Sequence, residues 1–401
     1  MSTSTAQDTP TYLDSHAWLT FDLDLQACLP RFWMLLGEAR SKCEHIKYVP
    51  LRTDTARMLM NVYFARGVNA TTAIEGNTLS EEQVRERMEG QLELPISQEY
   101  LGVEIDNMLK AYNGLSHRIQ DGEHISIDGV LLKDLNRQIL DGLEVNPGVT
   151  PGEFRTHSVA VGPYLAPRAE EVDQLVRRLC QWLESLDVPA EGDMRVPMAI
   201  IKAIVAHVYV EWIHPFGDGN GRLGRLVEFL VLMSSGLPQP AVHVLTSHYN
   251  DTRTEYYRQL NAASRTNDIK PFLLYAAQGL VDGLTKTIKQ LHQQQELLMW
   301  QALVDDAFHE HRATESTNRQ RMLAIELAKQ FSDDWVPRAA ARHLTPELTE
   351  MYAGKTPKTI TRDVNRLATM GLVARDFNGR SIRAVLESVR GMRPFALDPV
   401  E

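Results

Sequence analysis

The stretch VPMAIIKAIVAHVYVEWI, Val196–Ile213, constrains the fold more than any other part of the chain. It is apolar nearly all round, so as a helix it has no face to give to water and must lie at the centre of a domain. The ten residues that close it, IHPFGDGNGR, are rich in glycine, and LGRLVEFLVLM then resumes helical spacing until SSG at 234–236 ends it. The glycines therefore join two buried helices and sit at the N-terminus of the second. Besides Lys202, two polar residues interrupt the first helix, His207 and Glu211. They lie four apart, and His214 follows three later, so all three share one face.

Apolar residues recur at three- and four-residue spacing through most of the chain, and strand-like stretches are few, which predicts a mainly α protein. The expected order is a disordered N-terminus (1–15), a helical region (16–125), a helical core (126–285), a linker helix (286–315) and a C-terminal domain (316–395). One hairpin is expected in THSVAVGPYLAP, which alternates weakly around the turn-forming Gly162 and Pro163. The net charge of −10 excludes a general polycation, so any basic surface must be local. Cys28, Cys43 and Cys180 are odd in number and form no CxxC pair, which suggests reduced thiols. No basic and apolar leader is visible at the N-terminus, and no uncharged apolar run reaches the ~18 residues of a membrane span. The expectation is a cytoplasmic protein with no membrane partner.

At the start of the second helix the backbone N–H groups have no intrahelical acceptor, and the helix dipole adds partial positive charge. Gly217, Gly219 and Gly221 let this backbone curl around an anion. Arg222 and Arg225, three apart, add charge-assisted donors on one side, which suits a polyphosphate. Asp218 is out of place in such a loop unless a cation, ordinarily Mg²⁺, bridges it to the phosphates. His214, at the mouth, has the intrinsic pKa to take a proton from an attacking hydroxyl. The plainer reading is a helix connector beside a structural histidine. A dinucleotide-binding fingerprint is disfavoured because no strand precedes the loop. A metal triad of His207, Glu211 and His214 lacks the HExxH order, and a satisfied core histidine at 207 is the better reading.

HPFGDGNGRLGR resembles the signature of the Fic family, HxFx(D/E)GNGRxxR, at His214, Phe216, Asp218, Gly219, Asn220, Gly221, Arg222 and Arg225. The resemblance implies a helical enzyme that transfers AMP from ATP to a hydroxyl of a target protein. It implies His214 as general base and Asp218 as Mg²⁺ ligand. Asn220, Gly221 and Arg222 would cradle the α- and β-phosphates, Arg225 would reach the γ-phosphate, and Phe216 would be a core anchor at the edge of the phosphate loop. PGEFRTHSVAVGP (Pro151–Pro163) resembles the family's flap, with Val159, Ala160, Val161 and Gly162 registering the target's main chain by strand addition. YNDTRTEYYRQLNAASRTNDIKPF resembles the adenosine-side helix, with Tyr257 lining the nucleoside pocket, Tyr256 beside it, and Ser264 where relatives often carry Asn. TTAIEGN resembles the inhibitory motif (S/T)xxxE(G/N) at Thr71, Glu75 and Gly76, which makes Glu75 the candidate partner of Arg225. A homodimer is also suggested by the resemblance.

The C-terminal segment reads as a winged helix: a helix, a turn, a second helix from about Thr356 to Met370, then GLVARDFNGRSIRAV as a two-stranded wing. Residues 355–393 carry nine Lys and Arg against three acids, a local +6 that suits DNA phosphates, with Lys358, Thr359 and Arg362 opening the recognition helix and Arg380 on the wing. A protein-docking or dimerisation module is the plainer reading. The leading function is a self-inhibited protein adenylyltransferase acting on a target protein and on itself. The alternatives are a DNA-binding regulator whose Fic core senses nucleotide, and a Fic enzyme that transfers another group or removes AMP.

Overall fold

The computed structural model describes residues 11–386, apart from 187, 190 and 331–334, together with 389. It divides into two compact units, Met1–Ile288 and Lys289–Glu401. The first contains α1 (Pro30–Tyr48), α2 (Thr53–Ile74), α3 (Glu81–Met88), α4 (Glu99–Gln120), α5 (Gly129–Ile139), α6 (Val172–Ser185), α7 (Arg195–Ile213), α8 (Asn220–Ser234), α9 (Gln239–Val242), α10 (Val244–Asp251) and α11 (Arg253–Thr266). Between α5 and α6 stands one hairpin, β1 (Ala160–Val161) against β2 (Tyr164–Leu165), with Ala160 opposite Leu165 and Val161 opposite Tyr164. The expected mainly helical fold with a single hairpin before the central helices is what the chain forms.

The all-round apolar segment is the core. From Val196 to Ile213 only Met198, Lys202 and Glu211 escape full burial, and α7 packs on α8, α1 and α6. α7 has the length and hydropathy of a membrane span, but the protein itself buries 83% of it. α8 is closed from its other side by α4 and α5, and α2 lies against α10, α4 and α8. The close approach of α7 and α8 depends on Gly224, where a Cβ would fall 2.9 Å from the His207 ring. Local signals set the helix ends. Ser80 and Gln83 form a reciprocal capping box on α3, and Asp128 accepts from Leu131 N to start α5.

Part of the expected disordered N-terminus is ordered. Thr11–Asp14 form a 3₁₀ turn, and Tyr12 is buried with the Arg178 guanidinium over its ring. One aromatic side chain gave this anchor no spacing signal. The first ten residues lie outside the described residues.

α12 (Lys270–Phe308) starts well before the linker helix expected from 286, and its latter part belongs to the second unit. That unit adds α13 (Glu315–Ala328), β3 (Val336–Pro337), α14 (Arg338–Ala341), α15 (Pro346–Tyr352), α16 (Pro357–Thr369), β4 (Val373–Arg375) and β5 (Ser381–Ala384), with the strands ordered β3-β5-β4, all antiparallel. Trp300, Leu323, Leu348, Val364, Leu367 and Ile382 form its core. Inside it Asp363 accepts from Arg319 Nε at 2.8 Å, Gln320 Nε2 at 2.8 Å and Tyr352 Oη at 3.0 Å. Truncating one partner of such a buried pair costs about 3–5 kcal/mol. The end of the expected C-terminal domain, with Arg390 and Arg393, lies outside the described residues.

Candidate active site

The loop between α7 and α8 is built as its glycines require. His214 ends α7 in the left-handed region (φ 49°, ψ 61°), where a non-glycine residue is strained. Gly219 precedes α8 at φ 79°. Asn220 closes the loop between them: its Oδ1 accepts from Phe216 N at 2.9 Å, and its Nδ2 donates to Phe216 O at 2.8 Å. The Asn220 side chain thereby ties the loop together through Oδ1 and one Nδ2 hydrogen, which leaves its second Nδ2 hydrogen and its backbone N–H for an anion. Phe216 is 1% exposed and tilts against Phe154 at 5.3 Å, so its ring belongs to the core and not to a phosphate site.

His214 is half-buried at the mouth of the loop. Its Nδ1 lies 3.3 Å from Glu211 O. A carbonyl only accepts, so Nδ1 carries the proton and Nε2 keeps the lone pair of a base. Burial pushes the imidazole pKa below its ordinary value, against the opposing pull of the Glu211 carboxylate.

Arg222 and Arg225 both start from α8 but meet different partners. Arg225 is 1% exposed, with Nε donating to Thr71 Oγ1 at 2.9 Å and Nη2 to Thr71 O at 3.1 Å and Glu75 Oε1 at 2.5 Å. The three expected members of the brake, Thr71, Glu75 and Gly76, thus come together at the end of α2, Gly76 with φ 105°. Gly221 makes room for them, since a Cβ there would lie 2.3 Å from Glu75 Oε1. Arg222 instead donates to Glu104 Oε1 at 2.6 Å and to Asp218 Oδ1 at 3.3 Å, while its buried Nε has no protein partner among the described residues. Glu104 also accepts from Asn77 Nδ2 at 2.8 Å, which ties the turn after Glu75 to the loop. Glu104 has no sequence signal, and Asn77 has none beyond closing the TTAIEGN segment.

Asp218 uses Oδ1 for Gly219 N at 2.5 Å and for Arg222, and Oδ2 has no partner among the described residues. One free, partly exposed carboxylate oxygen fits Mg²⁺, a hard cation usually held by one or two carboxylates plus phosphates. Among the described residues no three His, Cys, Asp or Glu cluster as a metal cage. His207 lies in the core, but it is satisfied only in part, since its buried Nδ1 has no hydrogen-bond partner among the described residues. It is fully buried, bonded to Tyr256 Oη at 3.0 Å, and lies between Glu228 and Glu211.

A cavity of about 500 Å³ opens between the hairpin, the end of α7 and α11, lined among others by Val161, Gly162, Glu211, Tyr257, Asn261 and Ser264. Tyr257 is 42% exposed there, whereas Tyr256 is buried. Val159 accepts from Ala166 N at 3.0 Å, and β1 is exposed along both its residues. The hydroxyl of Tyr257 and the guanidinium of Arg253, both on α11, donate to the carbonyl of Ile74, and Arg253 also donates to Ala73 O at 3.1 Å. In the second unit Lys358, Arg362 and Arg380 are exposed and make no side-chain hydrogen bond or ion pair among the described residues.

Residues 126–232 match the Fic/DOC family. The chain is 32% identical over 242 residues to protein adenylyltransferase fic-1 of Caenorhabditis elegans, covering 60% of this chain and 43% of that one. It is 30% identical over 226 residues to protein adenylyltransferase Fic of Nematostella vectensis, covering 55% and 48%. It thus spans less than half the length of these relatives. Among solved structures, Fic-1 of C. elegans matches at 26% identity and a TM-score of 0.54, over 65% of this chain and 73% of that one. A Fic family protein from Desulfovibrio desulfuricans shares the fold at 20% identity and a TM-score of 0.54, over 91% and 98%. The loop around His214 falls inside the matched segment, and the chain carries a Fic/DOC family domain over residues 126–232.

Proposed function

We propose that this chain is a self-inhibited protein adenylyltransferase, which moves AMP from ATP to a Ser, Thr or Tyr hydroxyl of a target protein and of itself. The observation that carries the reading is the pairing of His214 Nε2, a free base by its tautomer, with a loop that offers unused donors. Those donors are the first N–H groups of α8 and the buried Nε of Arg222. The target's hydroxyl oxygen attacks the α-phosphorus, the bond to the oxygen bridging the β-phosphate breaks, and pyrophosphate leaves. The hydroxyl proton passes to His214 Nε2. Mg²⁺, when bound, neutralises phosphate charge, and Asp218 is the residue that would hold it. Tyr257 and the neighbouring cavity suit the nucleoside, and the exposed β1 edge suits an extended target segment.

The test is incubation with ATP labelled at the α or the γ position. Label retained on protein only from the α position supports AMP transfer, and retention from γ moves the reading to phosphate transfer. Mass spectrometry of the product separates AMP from other groups. An AMP-modified target that loses its label instead supports AMP removal. We place the reaction in the cytoplasm and in a homodimer, the latter read by light scattering.

A second reading rests on the free basic side chains Lys358 and Arg362 on α16 and Arg380 at the β4–β5 turn, which we read as the recognition helix and wing of a winged helix. These suit duplex DNA, in which case the Fic/DOC core would sense nucleotide for a DNA-binding regulator. Filter binding of genomic fragments with and without ATP tests it.

A further inference from the structure

Arg155 is a buried cation whose partners are all main-chain carbonyls. It is 4% exposed. Its Nε donates to His214 O at 2.7 Å, Nη1 to His157 O at 3.0 Å, and Nη2 to Pro167 O at 2.5 Å and Ile213 O at 3.4 Å. Its own N–H donates to Pro215 O at 3.0 Å. Among the described residues no carboxylate forms an ion pair with it. His157 and Pro167 flank the β1–β2 hairpin on its two sides, and Ile213, His214 and Pro215 are the strained end of α7. One planar guanidinium thus joins both feet of the hairpin to the backbone of the candidate base.

Two further contacts hold the hairpin. Tyr164 Oη donates to Trp212 O at 2.5 Å, and His16 Nε2 lies 2.9 Å from Leu165 O. β2 is therefore tied to α7 and to the N-terminal segment, and β1, exposed along both its residues, makes no backbone bond on its other edge among the described residues.

We propose that Arg155 is a positioning residue that sets the register between the β1 edge and His214, so that a chain laid on that edge brings its hydroxyl to Nε2. The proposal rests on the transferase reading above. Arginine is required because its donors fan out in a plane to several acceptors, whereas a lysine ammonium offers its donors from one point. A misplacement of ~1 Å at the reacting atoms costs about 10²-fold.

The test uses the full chain with Glu75→Gly, which removes the proposed brake, with and without Arg155→Lys. Four quantities are measured: self-incorporation of AMP from α-labelled ATP, release of AMP to water, ATP affinity by calorimetry, and amide exchange across 157–167. Arg155→Lys should lower self-incorporation by about 10²-fold, lower release to water much less, leave ATP affinity unchanged, and speed exchange across the hairpin. Self-incorporation and exchange at the parental level overturn the proposal, as does an equal loss of ATP affinity, which marks a plain folding defect. Should Arg155→Lys not fold, Tyr164→Phe removes the hairpin's second tie to α7 and carries the same expectation at smaller size. Unchanged transfer there overturns the proposal too. If the Glu75→Gly parent incorporates no AMP, the transferase reading fails, and the exchange measurement still decides whether Arg155 clamps the hairpin.

Discussion

Glu75 Oε1 lies 2.5 Å from Arg225 Nη2, across 150 residues of sequence, and the arginine it neutralises is 1% exposed. That guanidinium is the donor the resemblance assigns to the γ-phosphate, so carboxylate and phosphate compete for one group. Glu75→Gly should raise self-modification about 10²-fold, and Arg225→Ala added to it should erase the gain. The same change leaves a buried cation without its anion, at a cost of about 1–3 kcal/mol. The variant should therefore melt lower without ATP and gain more than wild type from saturating ATP. Transfer no faster than wild type would identify α2 as scaffold.

A second contact holds the same helix. Arg253 donates to the carbonyls of Ala73 and Ile74, the last acceptors of α2, where a positive charge also complements the helix dipole. Arg253→Ala should loosen Glu75 from Arg225 and raise transfer several-fold. In a Glu75→Gly background the same substitution should do nothing, because the group it steadies is gone. A loss of activity in that background would place Arg253 in nucleotide binding instead.

The contrast between these contacts shows what the sequence could carry. The all-round apolar α7, the glycine loop and the TTAIEGN segment are local patterns, each legible because neighbours in sequence are neighbours on one helix or loop. Arg155, Glu104 and Arg253 gave no signal. Each is a single charged residue whose partner stands 59, 118 or 180 residues away, and nothing in its own surroundings separates it from a solvated surface charge. Asn220 is recognised by motif, yet its side chain closes on the Phe216 backbone to build the loop, whereas the Phe216 ring fills the core as the motif implies. A motif marks which positions matter and leaves open which way each side chain turns.

Burial depresses the His214 pKa below the ordinary imidazole range, against the pull of the Glu211 carboxylate, with Arg155 adding a smaller push in the same direction as burial. A base must be neutral to act, so the rate should fall only as pH drops through that lowered pKa. In the Glu75→Gly variant the acid limb of kcat/KM should lie below pH 6.5, with a flat profile through neutrality. His214→Ala should lose about 10²–10⁴-fold in rate with ATP affinity retained. An acid limb above pH 6.5, or equal loss of affinity and rate, would show that His214 is not the base.

Asp218 offers its free Oδ2 at the rim of the loop while Oδ1 steadies Gly219 N. Asp218→Ala should abolish stimulation by Mg²⁺ together with transfer, whereas Asp218→Asn, which retains an oxygen for Gly219 N, should keep the fold and still lose the metal dependence. Mg²⁺-stimulated turnover in either variant would place the ion elsewhere.

The last expectation concerns the second unit alone. Asp363 on α16 is turned into the core against Arg319, so the outward side of that helix keeps Lys358 and Arg362 without a counter-charge, and Arg380 stands equally free at the β4–β5 turn. Free cations on a helix and a wing are the arrangement that neutralises phosphates of a duplex, and each neutralised phosphate releases counterions. Affinity for duplex DNA should therefore fall steeply as salt rises. Arg362→Ala with Arg380→Ala should flatten the slope of log affinity against log salt by about two units. The two residues are exposed and unpaired, so melting of the variant should match wild type, and lost binding could not be blamed on lost folding. No retention of duplex DNA even at low salt would assign this face to protein docking and remove the DNA-binding regulator from consideration.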